Sequence, residues 1–198
     1  MIPIVCFFGQ AGSGKDTAGA YFTGHGEYVR LSLADELKWD IIKMGLATEE
    51  EAFTTKPPHI RRLLQKYGTD ICRKIHGDDY WLWRWAAKAL EVTADAPYRG
   101  LSVADVRFPN EASWFLDRGA VLIHIKPNAR SLAIRASWGD NIHVSEEGYR
   151  TIPEAVGARA ERVFEIDNDK TPQDLYDKLY LLEQSKVWPF ASVLFGHR

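Results

Sequence analysis

The stretch Ile4-Val5-Cys6-Phe7-Phe8-Gly9-Gln10-Ala11-Gly12-Ser13-Gly14-Lys15-Asp16-Thr17 decides the fold. Its apolar opening reads as a core strand, and the glycine-rich, lysine-ended turn behind it reads as a phosphate loop feeding a helix. The glycines let the backbone curl until successive N–H groups point inward. The helix presents its positive end, and Lys15 reaches the outer phosphates. Four residues lie between Gly9 and Gly14, and Lys15 follows at once, as the motif requires. Only the last position departs, with Asp16 standing where a hydroxyl residue is usual and Thr17 one place later. That hydroxyl ordinarily helps to hold magnesium. Here either the Asp16 carboxylate takes over, directly or through water, or it orients a substrate group. Gly9, Ala11, Gly12, Ser13, Gly14, Lys15, Asp16 and Thr17 are the expected nucleotide-binding residues, with Asp16 and Thr17 on the metal side.

Working outward, residues 16–23 read as a helix and 28–33 as a second short strand. Residues 34–44 carry apolar positions at helical spacing, so a helix starts just past a strand end, where ligands gather in open α/β sheets. Residues 46–58 are polar, contain Pro57-Pro58 and read as an exposed excursion. Two helices are expected at 60–74 and 79–92, joined at His76-Gly77, and the aromatic run Tyr80, Trp81, Trp83, Trp85 suits a core. Residues 101–105 form an apolar run ending in Asp105, the pattern of a buried strand that delivers one carboxylate to the ligand side. A helix at 110–118 stopped by Gly119, a strand at 120–125, a fifth strand at 163–166 and a last helix at 172–184 complete the alternation. The fold class is α/β, with a mostly parallel five-stranded sheet flanked by helices. Residues 46–95 are expected to be a helical acceptor-side insertion, and the polar stretch 128–155 a mobile, lid-like flap. The apolar tail 187–198 either folds back over an open side or makes a subunit contact, as in a homodimer.

At 198 residues the chain suits one α/β domain spanning 1–198, large enough to bury a full core. A net charge of −2 offers no broad basic field, which argues against nucleic-acid polymers and for a small anionic ligand held by local arginines. The two cysteines, Cys6 and Cys72, lack metal spacing and read as small packing groups in a reducing compartment. No apolar run approaches membrane length, and a core strand follows almost directly on Met1 without a charged leader. The expectation is a soluble protein of the cytoplasm, the host's if a phage encodes it.

Phosphoryl transfer needs charge neutralisation, a bridging metal and placement of the acceptor, with little demand for a strong base. The chain offers cations and carboxylates in that pattern: Lys15 and Asp16 at the donor, Asp105 and Arg107 past the third strand, Arg61 and Arg62 at a helix start, Arg130 and Arg135 in the flap. Asp105 is the candidate acid on the magnesium side, with a turn-capping role as its alternative. Arg107 either pairs with an acid or binds ligand. Asp35 either stabilises its helix start or recognises the acceptor. One of Arg61 and Arg62 faces solvent, while at least one binds an acceptor phosphate. His143 is either a hydrogen-bonding surface histidine or a functional one.

Taken together, these pieces resemble the phage-type deoxynucleoside monophosphate kinases of the P-loop kinase superfamily. The resemblance rests on Gly12-Ser-Gly-Lys-Asp-Thr17, Leu33-Ala-Asp35 with Leu37-Lys38, and Arg61-Arg-Leu-Leu-Gln-Lys-Tyr-Gly-Thr-Asp70. It continues through Tyr80-Trp81, Asp105-Val-Arg107 with Glu111, Arg118-Gly-Ala-Val-Leu-Ile-His124-Ile and His143-Val-Ser-Glu146. The Lys-Asp-Thr ending is the most specific of these. Residues 46–58 look shorter than the corresponding insertion in that family. The resemblance implies a P-loop kinase fold and magnesium-dependent transfer of phosphate from ATP to a deoxynucleoside monophosphate. ATP would lie on residues 9–17, and Asp35, Lys38, Arg61, Arg62, Asp105 and Arg107 would surround the acceptor. Arg130 or Arg135 would close over the transferring group, and His143 and Glu146 would hold the flap or the acceptor. The phosphate loop alone also admits another small-molecule kinase, of the phosphomevalonate or dephospho-coenzyme A type, or a nucleotide-gated ATPase that engages a protein partner.

Overall fold

In chain order the elements are β1 (Ile4–Phe8), α1 (Lys15–Gly24), β2 (Tyr28–Arg30), α2 (Ala34–Lys43), α3 (Pro58–Gln65), α4 (Lys74–His76), α5 (Tyr80–Ala94), β3 (Gly100–Val106), α6 (Pro109–Asp117), β4 (Val121–Lys126), α7 (Ala129–Ala136), α8 (Val144–Glu147), α9 (Ile152–Val156), β5 (Val163–Asp167) and α10 (Pro172–Glu183). This computed structural model describes residues 2–24, 28–94, 98–137 and 143–185, so the apolar tail lies outside the described residues. The chain separates into two compact units, one of Met1–Arg30 with Pro97–Arg198 and the other of Leu31–Ala96.

The first unit is built on a five-stranded sheet in the order β2-β3-β1-β4-β5, and every pairing in it is parallel. β1 is central because all five of its residues are buried, so neither face can meet water. Its side chains alternate: Val5 and Phe7 join Ala18, Tyr21 and Phe22 of α1 and Leu175 and Leu179 of α10 in one core cluster, while Cys6 and Phe8 point the other way. α6 turns in Ala112, Phe115 and Leu116, and its chain reverses at Gly119, whose φ of 80° suits a residue without Cβ. β2 is shorter than its pattern implies. It ends at Arg30, and the apolar Leu31 and Leu33 belong to the second unit.

Between Cys6 and Phe8 the register of β1 on β3 slips: Cys6 pairs with Val103 and Phe8 with Val106, so Ala104 and Asp105 both stand opposite Phe7. This bulge re-aims β3 at its carboxyl end, next to the phosphate loop. The described residues of the stretch 128–155 are largely helical, in α7, α8, a 3-10 turn over Gly148–Thr151, and α9, which runs on to Val156. Ser131, Ser145, Tyr149, Ile152 and Val156 are buried in it.

The second unit is all helix. In residues 46–58, most of which are exposed, Glu50–Thr55 coils in π-type turns, and Ala52 packs in a small core with Ile41 and Ile60. α3 runs on through further π-type turns over Lys66–Arg73 before Gly77 ends the helical run. α5 buries Trp81, Leu82, Trp85 and Ala89 on one stripe, but Trp83 is 61% exposed and is not part of the core.

Candidate active site

In the first unit the phosphate loop closes as the glycines demand. Gly9, Gly12 and Gly14 have φ values of 134°, 77° and 102°, which only glycine adopts without strain. A Cβ on Gly9 would collide with the Ile125 carbonyl and one on Gly14 with the Asn168 amide, so these positions need glycine for space as well. Lys15 folds back along the loop, its Nζ donating to the Gly9 carbonyl at 2.8 Å and the Gln10 carbonyl at 2.7 Å. Loss of hydration and then the Arg107 guanidinium push its ammonium down from 10.5 to about 8, against the opposing pull of Asp16, Glu146 and Asp105. A half-buried cation whose hydrogen bonds go to neutral carbonyls, with a second cation beside it, is an anion site in waiting.

The other charged residues gather around it. Asp105, half-buried on the bulge, acts electrostatically on both Lys15 and Arg107. Arg107 pairs with Glu146 at 3.2 Å and reaches the Ser145 carbonyl at 3.4 Å, leaving 41% of its side chain exposed. Although lost hydration works against its charge, Glu146, Asp105 and Glu111 hold that guanidinium above its ordinary value. Glu111, itself buried, accepts from the backbone N–H groups of Arg107 at 2.7 Å and Phe108 at 3.0 Å, and so fixes the turn that carries Arg107. His143 caps α8, its Nδ1 accepting from the Ser145 N–H at 3.2 Å. Arg135 donates to Glu147 at 2.8 Å, and Arg130 is exposed. Asp16 points outward, 78% exposed, and pairs with Arg30 at 2.9 Å. Burial, then Asp105 and Glu111, push the Cys6 thiol well up, which removes it as a nucleophile.

Among the described residues no three His, Cys, Asp or Glu side chains form a cation cage. Magnesium does not require one, because it takes one or two protein oxygens and completes its shell with phosphates and water. Asp16, Thr17 and Asp105 carry oxygen donors, the type such a hard cation takes, although Asp16 is turned to Arg30.

A second ring of contacts went unread in the sequence. The Gln10 amide donates to the Ser131 carbonyl at 2.6 Å, Tyr149 donates to Gln10 at 3.3 Å, and Asn168 donates to the Ser13 carbonyl at 2.7 Å. These clamp the outer wall of the loop to α7, the 3-10 turn and the end of β5. The one available signal was Asn168 just past a strand end. Single polar residues more than a hundred positions from their partners leave no periodic trace.

In the second unit, Asp35 accepts from the Ser32 N–H at 3.0 Å and from Lys38 at 2.8 Å, and thus stabilises its own helix start. Lys38 is buried, with its ammonium 4.6 Å from the centre of the Phe53 ring. Arg62 is exposed and Arg61 half-buried, as the apolar stripe of α3 implies.

A family model for deoxynucleotide monophosphate kinase matches residues 47–179. A protein of Acanthamoeba polyphaga mimivirus, described as a candidate deoxynucleotide monophosphate kinase, is 25% identical over 202 residues, covering 89% of this chain and 93% of that one. Among solved structures, TT1252 from Thermus thermophilus is similar at a TM-score of 0.52 and 18% identity, over 93% of this chain and 98% of that one. A gluconokinase from Sinorhizobium meliloti 1021 is similar at a TM-score of 0.48 and 15% identity, over 98% and 96% of the two chains. The parallel sheet with its glycine loop is a P-loop kinase fold, and no helix among the described residues is long and apolar enough to cross a membrane. The match from residue 47 to 179 draws on both compact units, and on that ground the chain belongs to the deoxynucleotide monophosphate kinase family and is a nucleotide kinase.

Proposed function

We propose that this kinase transfers the γ-phosphoryl group of ATP to a deoxynucleoside monophosphate, giving the diphosphate, with magnesium bound at the donor. The observation that carries the reading is Lys15, a cation drawn out of water and held by two loop carbonyls. A polyphosphate on the loop N–H groups would take over those hydrogen bonds and restore the lysine's full charge. Arg107 lies within the same field and would share the charge that spreads over the transferring group. When bound, magnesium would supply charge neutralisation at the donor phosphates, and Asp16, Thr17 and Asp105 are the residues we assign to hold it.

Arg130 or Arg135 is assigned to closure over the transferring group, which excludes water that would otherwise hydrolyse ATP. Glu146 orients Arg107 by its ion pair, and His143 holds α8 by its cap. Asp35, Lys38, Arg61 and Arg62 are assigned to the acceptor. No separate general base is needed, because the attacking phosphate is already anionic near neutral pH. The test is a coupled assay with ATP and magnesium against each deoxynucleoside monophosphate, the ribonucleotides and a no-acceptor control. Acceptor-dependent ADP with a matching diphosphate is expected. ADP formation indifferent to every acceptor would overturn the reading.

A further inference from the structure

Within the second unit a cleft of about 120 Å³ opens among Ser32, Asp35, Glu36, Trp39, Phe53 and Trp85. Its walls are aromatic: the Trp39 and Phe53 rings lie 5.1 Å apart at 51°, and Trp85 is locked in place by its Nε1 donating to the Leu31 carbonyl at 2.8 Å. Its polar side carries the Ser32 hydroxyl, which is buried, with the residue only 3% exposed, and has no hydrogen-bond partner. An orphaned buried hydroxyl is costly, and one lining a cleft marks where a ligand atom belongs.

The chemistry of the cleft narrows the ligand. Asp35 and Glu36 put two carboxylates in its lining, paired with Lys38 and Arg84, and Lys88, the one cation of the lining, is bonded to Glu91, so the cleft offers a phosphate no uncommitted cation. Wholly apolar ligands would leave Ser32 unpaired. The volume is well below the roughly 300–1,000 Å³ of a complete small-molecule pocket, so the cleft takes one ring system of a larger ligand. A flat ring that stacks on an indole and offers N–H donors to carboxylates is a nucleobase.

We infer that this cleft receives the base of the acceptor nucleotide and favours bases with an exocyclic amino group, the Ser32 hydroxyl and the Asp35 and Glu36 carboxylates reading the base edge. The inference rests on the kinase reading above. Each carboxylate has lone pairs beyond those used by Lys38, the Ser32 N–H and Arg84, and an amino group supplies the donor that thymine lacks at that ring position.

Two measurements on the full chain test it. In the first, kcat/KM is compared for the deoxynucleoside monophosphates of guanine, adenine, cytosine and thymine, in the wild type and in Ser32→Ala. The preferred amino-bearing base should exceed thymine by roughly tenfold or more. Ser32→Ala should raise the KM of the preferred acceptor roughly 3- to 10-fold, with Tm equal to or above wild type because an orphaned hydroxyl is gone. Either equal use of thymine or an unchanged acceptor KM in Ser32→Ala overturns the inference and leaves the kinase reading standing. In the second, deoxyguanosine, deoxycytidine and thymidine, which carry no phosphate, are titrated against tryptophan fluorescence, with Trp39→Phe identifying the reporting ring. Should no monophosphate be phosphorylated, a base-selective quench that is lost in Ser32→Ala still supports the cleft as a base site. A quench without base selectivity, or none, overturns it.

Discussion

Lys15 and Arg84 are both cations drawn partly out of water, and the two compact units treat them in opposite ways. Arg84 donates to Glu36 at 2.8 Å and to Asp40 and leans over the Trp81 ring, so although burial works against its charge, its hydrogen bonds to Asp40, Tyr80 and Glu36 push its pKa up. Lys15 is given only backbone carbonyls and is pushed down to about 8. One charge is answered within the protein and serves the fold. Among the described residues the other has no carboxylate in hydrogen-bond contact, and a half-buried cation so placed is what a phosphate site requires.

The sharpest way to break the comparison is Lys15→Ala, which should lower kcat about 10²-fold or more while leaving stability near pH 7 equal or improved. Activity within a few-fold of wild type would return Lys15 to a structural role. Arg84→Met should do the reverse. It should cost about 2 kcal/mol of stability in urea unfolding, between the values for exposed and buried pairs, with kcat at saturating substrate nearly kept.

Arg107→Ala should raise the acceptor KM roughly tenfold and the ATP KM far less. It should also move the alkaline limb of the pH profile upward, because Arg107 is one of the two causes that lower Lys15. Equal effects on both KM values would remove Arg107 from the acceptor side.

The smallest effect concerns protons. With a folded pKa of about 8 against 10.5 unfolded, Lys15 holds fewer protons in the folded chain between those values. Its contribution to stability therefore rises as pH climbs from 8 towards 10.5, and Lys15→Met should flatten that rise. ATP binding at pH 8 should take up a fraction of a proton, visible as a dependence of calorimetric heat on buffer ionisation enthalpy. No uptake would mean that Lys15 is already charged.

Most of the frame was legible before any coordinates. Backbone-driven features announce themselves locally: the glycine loop, the all-buried β1, and the strand that ends in Asp105 each carry their signal within a few residues. At Lys66–Arg73 the helical character was readable, but the π-type winding there and at Glu50–Thr55 leaves no local signal distinct from the 3.6-residue period. The bulge that aims Asp105 is a property of pairing between β1 and β3 and cannot be seen in either strand alone. Arg107 illustrates the middle case. Its two candidate roles were both readable, and its ion pair with Glu146, 39 positions along the chain, needed the fold. Asp16 and Thr17 stood out as a departure from the motif, yet the turn of Asp16 towards Arg30 depends on where β2 stops.

The contact of Asn168 with the Ser13 carbonyl has a consequence for how the chain is made. The phosphate loop precedes its partners in chain order, so β1 must wait for β3 and β4 to gain neighbours, and the loop waits longer still for Asn168. Until then a run of five apolar residues and a flexible glycine turn stand without their sheet, the condition in which nascent chains rely on chaperones. The part of the molecule that can be read first is the last to be finished.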